Sequence, residues 1–180
     1  MTKHFQFDWF SPNIPIFEAR LAPLRGTPCR LLEIGSHEGR STTWLIEHVA
    51  NHPESRIDCI DPYLQENFWS NVAAVGGVEQ ISFHQSSSRD ALRILPQNSF
   101  DFVYIDGSHW TANVLEDAVM SFPLCKIGGL IAFDDYLWDD PQWNQHGCPK
   151  PAIDFFLHTY AEKLEVLEKN HQVWIRRISD

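Results

Sequence analysis

Leu31-Leu32-Glu33-Ile34-Gly35-Ser36-His37-Glu38-Gly39 runs from an apolar strand into a turn bounded by two glycines. Gly35 and Gly39 lack a Cβ, so the backbone between them can turn sharply and approach a ligand closely. The polar stretch from Ser41 then opens a helix whose first amides face the same crevice. In doubly wound α/β folds, ligands bind at this carboxyl edge of the parallel strands. Taken alone, the turn reads equally well as a tight strand-to-helix connection with no ligand.

Outward from the turn, short apolar runs recur at Arg30 to Ile34, Arg56 to Ile60, Gln80 to His84, Phe100 to Ile105 and Leu130 to Phe133. Between them, helical patterns cover Ser41 to Asn51, Ser88 to Leu95, Trp110 to Phe122 and Pro151 to Tyr160, with Gly128-Gly129 as the stop after the third. Strands alternating with helices predict an α/β fold with a doubly wound, mostly parallel sheet, buried on both faces. Leu164 to Leu167 and Val173 to Arg177 flank a polar link and predict a C-terminal antiparallel hairpin. Ser11-Pro12 starts a helix running to about Leu24. The 180 residues thus read as one domain, with a helical extension over 1–28 and a core over 29–180.

Glu33 sharpens the turn. A pyrophosphate would need a site free of negative charge, so an acid two residues before the first glycine disfavours a dinucleotide and suits a cationic ligand. S-adenosylmethionine, with its ammonium and sulfonium, is such a ligand. Asp61, at the carboxyl end of the second strand, can accept both ribose hydroxyls. The string Glu33-Ile34-Gly35-Ser36 with Gly39-Arg40-Ser41-Thr42, then Ile60-Asp61-Pro62, Tyr104-Ile105-Asp106-Gly107-Ser108-His109 and Gly128 through Asp135 resembles the class I S-adenosylmethionine-dependent methyltransferases, small bacterial members of the macrocin and catechol O-methyltransferase-like group above all. The resemblance covers about Leu31 to Arg177. It implies a Rossmann-like methyltransferase fold and a cofactor site of Glu33, Gly35, Ser36, Gly39, Ser41, Asp61 and Asp106, with Ser87 and Ser88 beside the adenine. As helix starters, those two serines read equally as caps.

Asp106 ends the fourth strand, and Asp134 and Asp135 end the fifth. Three converging carboxylates repel unless some hold protons or a cation sits among them, and hard oxygen ligands favour Mg²⁺. In catechol-type relatives an acid at the fourth strand's end and a pair after the fifth bind the catalytic magnesium, which implies a metal set of Asp106, Asp134 and Asp135. The same relatives carry the general base three residues beyond the first metal acid. Here that position is His109, where some of them use lysine; histidine, with an ordinary pKa near ~6.5, can accept a hydroxyl proton near neutrality.

The expected activity is therefore metal-assisted O-methylation of a small hydroxylated acceptor. The alternatives are a metal-independent N- or C-methyltransferase and a non-catalytic S-adenosylmethionine-binding module. The links Pro62 to Glu79, with Tyr63, Phe68 and Trp69, and Tyr136 to Lys150, with Trp138, Trp143 and His146, are candidate acceptor walls. The Phe7 to Phe10 cluster is expected either to pack into the core or to cover the cofactor. A net charge of −10, from 24 acidic against 14 basic residues, repels a phosphate backbone and argues against nucleic acid. No apolar run reaches a membrane span and the start lacks a signal-peptide pattern, so a cytoplasmic address is expected. Four cysteines without Cys-x-x-Cys spacing suggest neither a disulfide framework nor zinc. A homo-oligomer is expected to supply any missing substrate cap.

Overall fold

A computed structural model describes residues 2–142 and 144–180, with the side chain of Asn144 left aside. Trp143, one of the expected acceptor walls, lies outside the described residues. The chain divides into two compact units, Met1–Ser86 and Ser87–Asp180, where the sequence reads as one domain.

The first unit carries β1 (Arg30–Ile34), β2 (Arg56–Ile60) and β3 (Ile81–His84), parallel in the order β3-β2-β1. Leu31, Leu32, Ile57, Cys59 and Ile60 are buried, as strands covered on both faces require. Helix α1 (Ile14–Leu21) is flanked by short 3₁₀ turns at Ser11–Asn13 and Ala22–Leu24, so the expected single helix is broken into three pieces around its prolines. It buries Phe17 and Leu21, and the Phe17 ring packs edge-on to Phe10 and Trp44 at 4.9 and 5.9 Å. α2 (Arg40–His48) follows the glycine turn. α3 (Phe68–Ala74) was not expected; the seven residues are too few to show a period, and their buried positions are Phe68, Asn71 and Val72.

The second unit carries α4 (Ser88–Leu92), β4 (Phe100–Ile105), α5 (Thr111–Ser121), β5 (Cys125–Phe133), α6 (Pro149–Thr159), β6 (Leu164–Lys169) and β7 (Val173–Arg177). β4 pairs parallel with β5, β5 pairs antiparallel with β7, and β6 closes the expected hairpin on β7. Phe102 stacks on Trp174 at 5.3 Å within the core. One expectation is corrected here. Gly128-Gly129 does not stop α5, which ends at Ser121 before a 3₁₀ turn containing Pro123; the pair lies inside β5, where the register with β4 shifts between Phe100 and Phe102. A bulge tolerates glycine at positive φ, and Gly128 sits at +86°. Among the described residues no helix is long and apolar enough to cross a membrane.

Candidate functional site

In the first unit, β1 delivers the chain into the turn at Gly35, whose φ is +90° and whose N–H donates to Ile60 O at 2.8 Å. Gly39 closes the turn at φ +78°, donating to Ser36 O at 2.7 Å. A Cβ there would also lie 3.2 Å from the Phe68 ring, so glycine is required for both conformation and space. Asp61 follows β2 and is 8% exposed. Its Oδ2 accepts the His37 N–H and its Oδ1 the Tyr63 N–H, each at 2.9 Å. Each oxygen keeps acceptor capacity for a hydroxyl, so the carboxylate is fixed and still able to bind a ribose.

Glu33 is fully buried. Its oxygens accept hydrogen bonds from the Ser41 and Thr42 hydroxyls, and the Cys59 thiol lies 3.7 Å from Oε2. Burial raises the Glu33 pKa, while the hydroxyl donors partly offset it. The acid thus braces the start of α2 from below, and Ser41 spends its hydroxyl on the same bond. Ser36 is buried in the same place.

A strap crosses this turn that no sequence pattern signals. The His4 N–H donates to Asn71 Oδ1 at 2.7 Å, and Asn71 Nδ2 donates to His4 O and Glu38 O at 2.8 and 2.9 Å. The Gln6 N–H reaches Glu38 Oε2 at 2.8 Å, and Asp8 pairs with Arg40 at 3.3 Å. These are polar contacts between residues far apart in the chain, which no local pattern reveals. The expected aromatic cluster splits: Phe10 is buried, whereas Phe7 and Trp9 stack 4.9 Å apart in the open, with Trp9 beside His37.

In the second unit, Asp106, His109, Asp134 and Asp135 line one small cleft at the carboxyl ends of β4 and β5. Tyr104 donates its hydroxyl to Asp134 Oδ2, and the Asp135 N–H donates to Asp134 Oδ1 at 2.8 Å. Asp134 is raised by burial first and by the Asp135 charge second; burial also pushes the Tyr104 phenol well up, helped by Asp106 and Asp134. Asp135 sits at φ +56°, a left-handed conformation that Asp tolerates better than most residues. That backbone aims its Oδ2 at His109 Nε2, 2.8 Å away. The hydrogen bond to Asp135 is the main cause of a raised His109 pKa, opposed by burial. Trp138 packs its ring 4.4 Å from His109, and its backbone N–H donates to Asp135 O at 2.9 Å.

Among the described residues, no group of three His, Cys, Asp or Glu side chains is gathered closely enough to hold a metal ion. The acids expected to bind magnesium do share the cleft, but Asp134 is engaged by Tyr104 and Asp135 by His109. In this arrangement they do not fit a metal. Ser87 caps α4: its hydroxyl donates to Asp90 Oδ2 at 2.8 Å and accepts the Asp90 N–H at 3.2 Å. Ser88 opens the same helix beside the buried Asp117, whose carboxyl it touches. Ser87 thus shows the capping role read for it, and Ser88 does not cap the helix.

A glycine turn at a parallel strand end, with a fixed carboxylate on the next strand, is the geometry expected of a nucleoside-binding α/β enzyme. The sequence family described as methyltransferase domain matches residues 32–136. The chain belongs to that family and is an S-adenosylmethionine-dependent methyltransferase. No protein of curated function matches. Among solved structures, a Klebsiella pneumoniae protein described as an O-methyltransferase is similar at a TM-score of 0.77 and 14% identity, over 97% of this chain and 84% of that one. TomG, the O-methyltransferase of Streptomyces achromogenes involved in tomaymycin synthesis and solved with S-adenosylmethionine, is similar at 0.72 and 17% identity, over 94% and 81%. MycE, from the mycinamycin pathway and solved with Mg, S-adenosylhomocysteine and mycinamycin VI, is similar at 0.68 and 21% identity, over 98% of this chain and 51% of that one. These likenesses show the Rossmann-like methyltransferase fold.

Proposed function

We propose that this methyltransferase methylates a hydroxyl of a small-molecule acceptor, with His109 as general base and Asp135 as the carboxylate that orients it. The 2.8 Å contact between His109 Nε2 and Asp135 Oδ2 carries the reading. With Asp135 accepting from Nε2–H, the neutral ring keeps its lone pair on Nδ1, so Nδ1 takes the acceptor's proton. Trp138 restrains the ring from one side. S-adenosylmethionine, when bound, supplies the electrophilic methyl on its sulfonium. Asp61 and the glycine turn fit that ligand: Asp61 holds the ribose hydroxyls, and Gly35 and Gly39 let the backbone approach it. The remaining contribution is to hold donor and acceptor in line.

His109→Ala should lower turnover by about 10²- to 10⁴-fold, the usual worth of a positioned base, while calorimetry shows S-adenosylhomocysteine affinity within about twofold of the parent. Unchanged turnover in His109→Ala would refute the assignment of the base. Magnesium assistance is a second reading, favoured by the shared cleft of three acids and by the Mg in the MycE complex. It requires Asp134 and Asp135 to give up their present partners. Turnover abolished by excess chelator and restored by Mg²⁺ would favour it; full turnover in chelator would remove it.

A further inference from the structure

The acid cluster lies at the carboxyl ends of β4 and β5; the opposite ends of these strands border a second cleft within the same unit. Its volume is about 500 Å³, and Gln97, Asn98, Phe122, Tyr160, Lys163 and Arg177 line it. Clefts of this size hold small ligands. Part of the wall is aromatic: Phe122 and Tyr160 meet edge to face at 5.0 Å, and the Arg177 guanidinium lies 5.2 Å from the Phe122 ring centre.

The Arg177 side chain is only 4% exposed. Its Nη1 donates to Cys125 O at 2.5 Å and Pro123 O at 3.2 Å, and its Nε to Ser179 O at 3.2 Å. Those acceptors are neutral. The anion on this guanidinium is Asp180, 2.5 Å from Nη2, and the Asp180 side chain is 85% exposed. Asp101, near the same strand end, is paired with Lys126 at 2.7 Å. A buried cation needs a counter-charge, and here it comes from a carboxylate that stands almost entirely in water. The Asp180 end of the pair faces solvent, where a competing carboxylate can reach it. Lys163 adds a second cation to the same cleft. In a chain of net charge −10, Arg177 and Lys163 face one side-chain carboxylate, Asp180, in this lining, so removing that carboxylate from Arg177 leaves two cations for an incoming anion.

We infer that this cleft is a second ligand site, for a small aromatic carboxylate, and that Asp180 is the carboxylate such a ligand displaces. The ring lies against Phe122 and Tyr160, and the carboxylate takes the place of Asp180 on Arg177 with Lys163 alongside. None of these residues belongs to the cofactor turn or to the His109 cleft, so the site is separate from the methyl-transfer machinery.

Benzoate is the probe, titrated into the full chain and followed by backbone amide NMR shifts, with benzamide as its neutral counterpart. Benzoate should move amides around Asn98, Lys163 and Ile178, and benzamide should not. Asp180→Asn, which removes the resident carboxylate, should tighten benzoate by roughly fivefold, the worth of one exposed ion pair. Lys163→Glu, an exposed change that the fold tolerates, should weaken it by about tenfold through like-charge repulsion. The inference is overturned if benzoate moves nothing in the parent and in Asp180→Asn, if benzamide binds equally well, or if either substitution leaves benzoate affinity unchanged.

Discussion

Asp117 shows how one buried acid sets a pH dependence. It lies buried on α5, its Oδ1 has no hydrogen-bond partner, and burial raises its pKa from 3.8 to about 6. The folded chain therefore keeps a proton that the unfolded chain releases near pH 4. The destabilisation is absent below that pH, grows as pH rises towards about 6, and is complete above it. Its size is ~3 kcal/mol at most. Asp117→Asn should thus raise the urea midpoint at pH 8 and leave it nearly unchanged at pH 4; equal effects at both pH values would contradict the account. His109 is raised for a different reason, its bond to Asp135. The base works only when deprotonated, so turnover should rise with pH through that raised value. Asp135→Asn keeps a residue that tolerates positive φ but removes the charge, and should move the rising limb of the pH–rate profile to lower pH. A limb that stays in place would show that Asp135 does not act on His109. His109 is legible in the sequence as a candidate base from its position after Asp106. Its partner was not, because which carboxylate meets the ring depends on the backbone of Asp135 and not on the order of the acids.

At the scale of elements, the glycine turn binds sequence to structure most tightly. Gly39→Ala forces a Cβ into the left-handed region against the Phe68 ring. It should cost about 1–3 kcal/mol of stability in urea unfolding and weaken cofactor binding along with it; a parent-like midpoint would show that the turn relaxes freely. Strands β1, β2, β4 and β7 begin and end where the apolar runs do, since each is mostly buried and its apolar residues mark its extent in the sequence. β5 was read too short because a glycine pair looks like a stop when it serves as a bulge. α3 escaped notice because its anchor is Asn71, a polar residue buried by bonds to His4 and Glu38. The same bonds explain why the strap over residues 4–10 was invisible: backbone groups of one segment meet a side chain 67 residues away.

Across the whole molecule, local pattern sufficed for the α/β class, the terminal hairpin and the glycine turn after β1, because each rests on residues adjacent in sequence. The magnesium set turns on tertiary contacts instead. Strand ends bring acids together, but Tyr104 and His109 decide which carboxylate oxygens stay available, and nothing in the spacing of Asp106, Asp134 and Asp135 foretells those contacts. The net charge of −10 is a total over the chain and does not reveal that Arg177 and Lys163 meet in one cleft. The central claim, a nucleoside-binding turn completed by Asp61, is tested most directly by calorimetry with S-adenosylhomocysteine on the parent and on Asp61→Ala. Loss of a carboxylate that accepts two ribose hydroxyls should weaken binding by roughly 10- to 100-fold. Binding by the parent with that loss in the variant is the result predicted; no binding by the parent, or equal affinity in both, would contradict it.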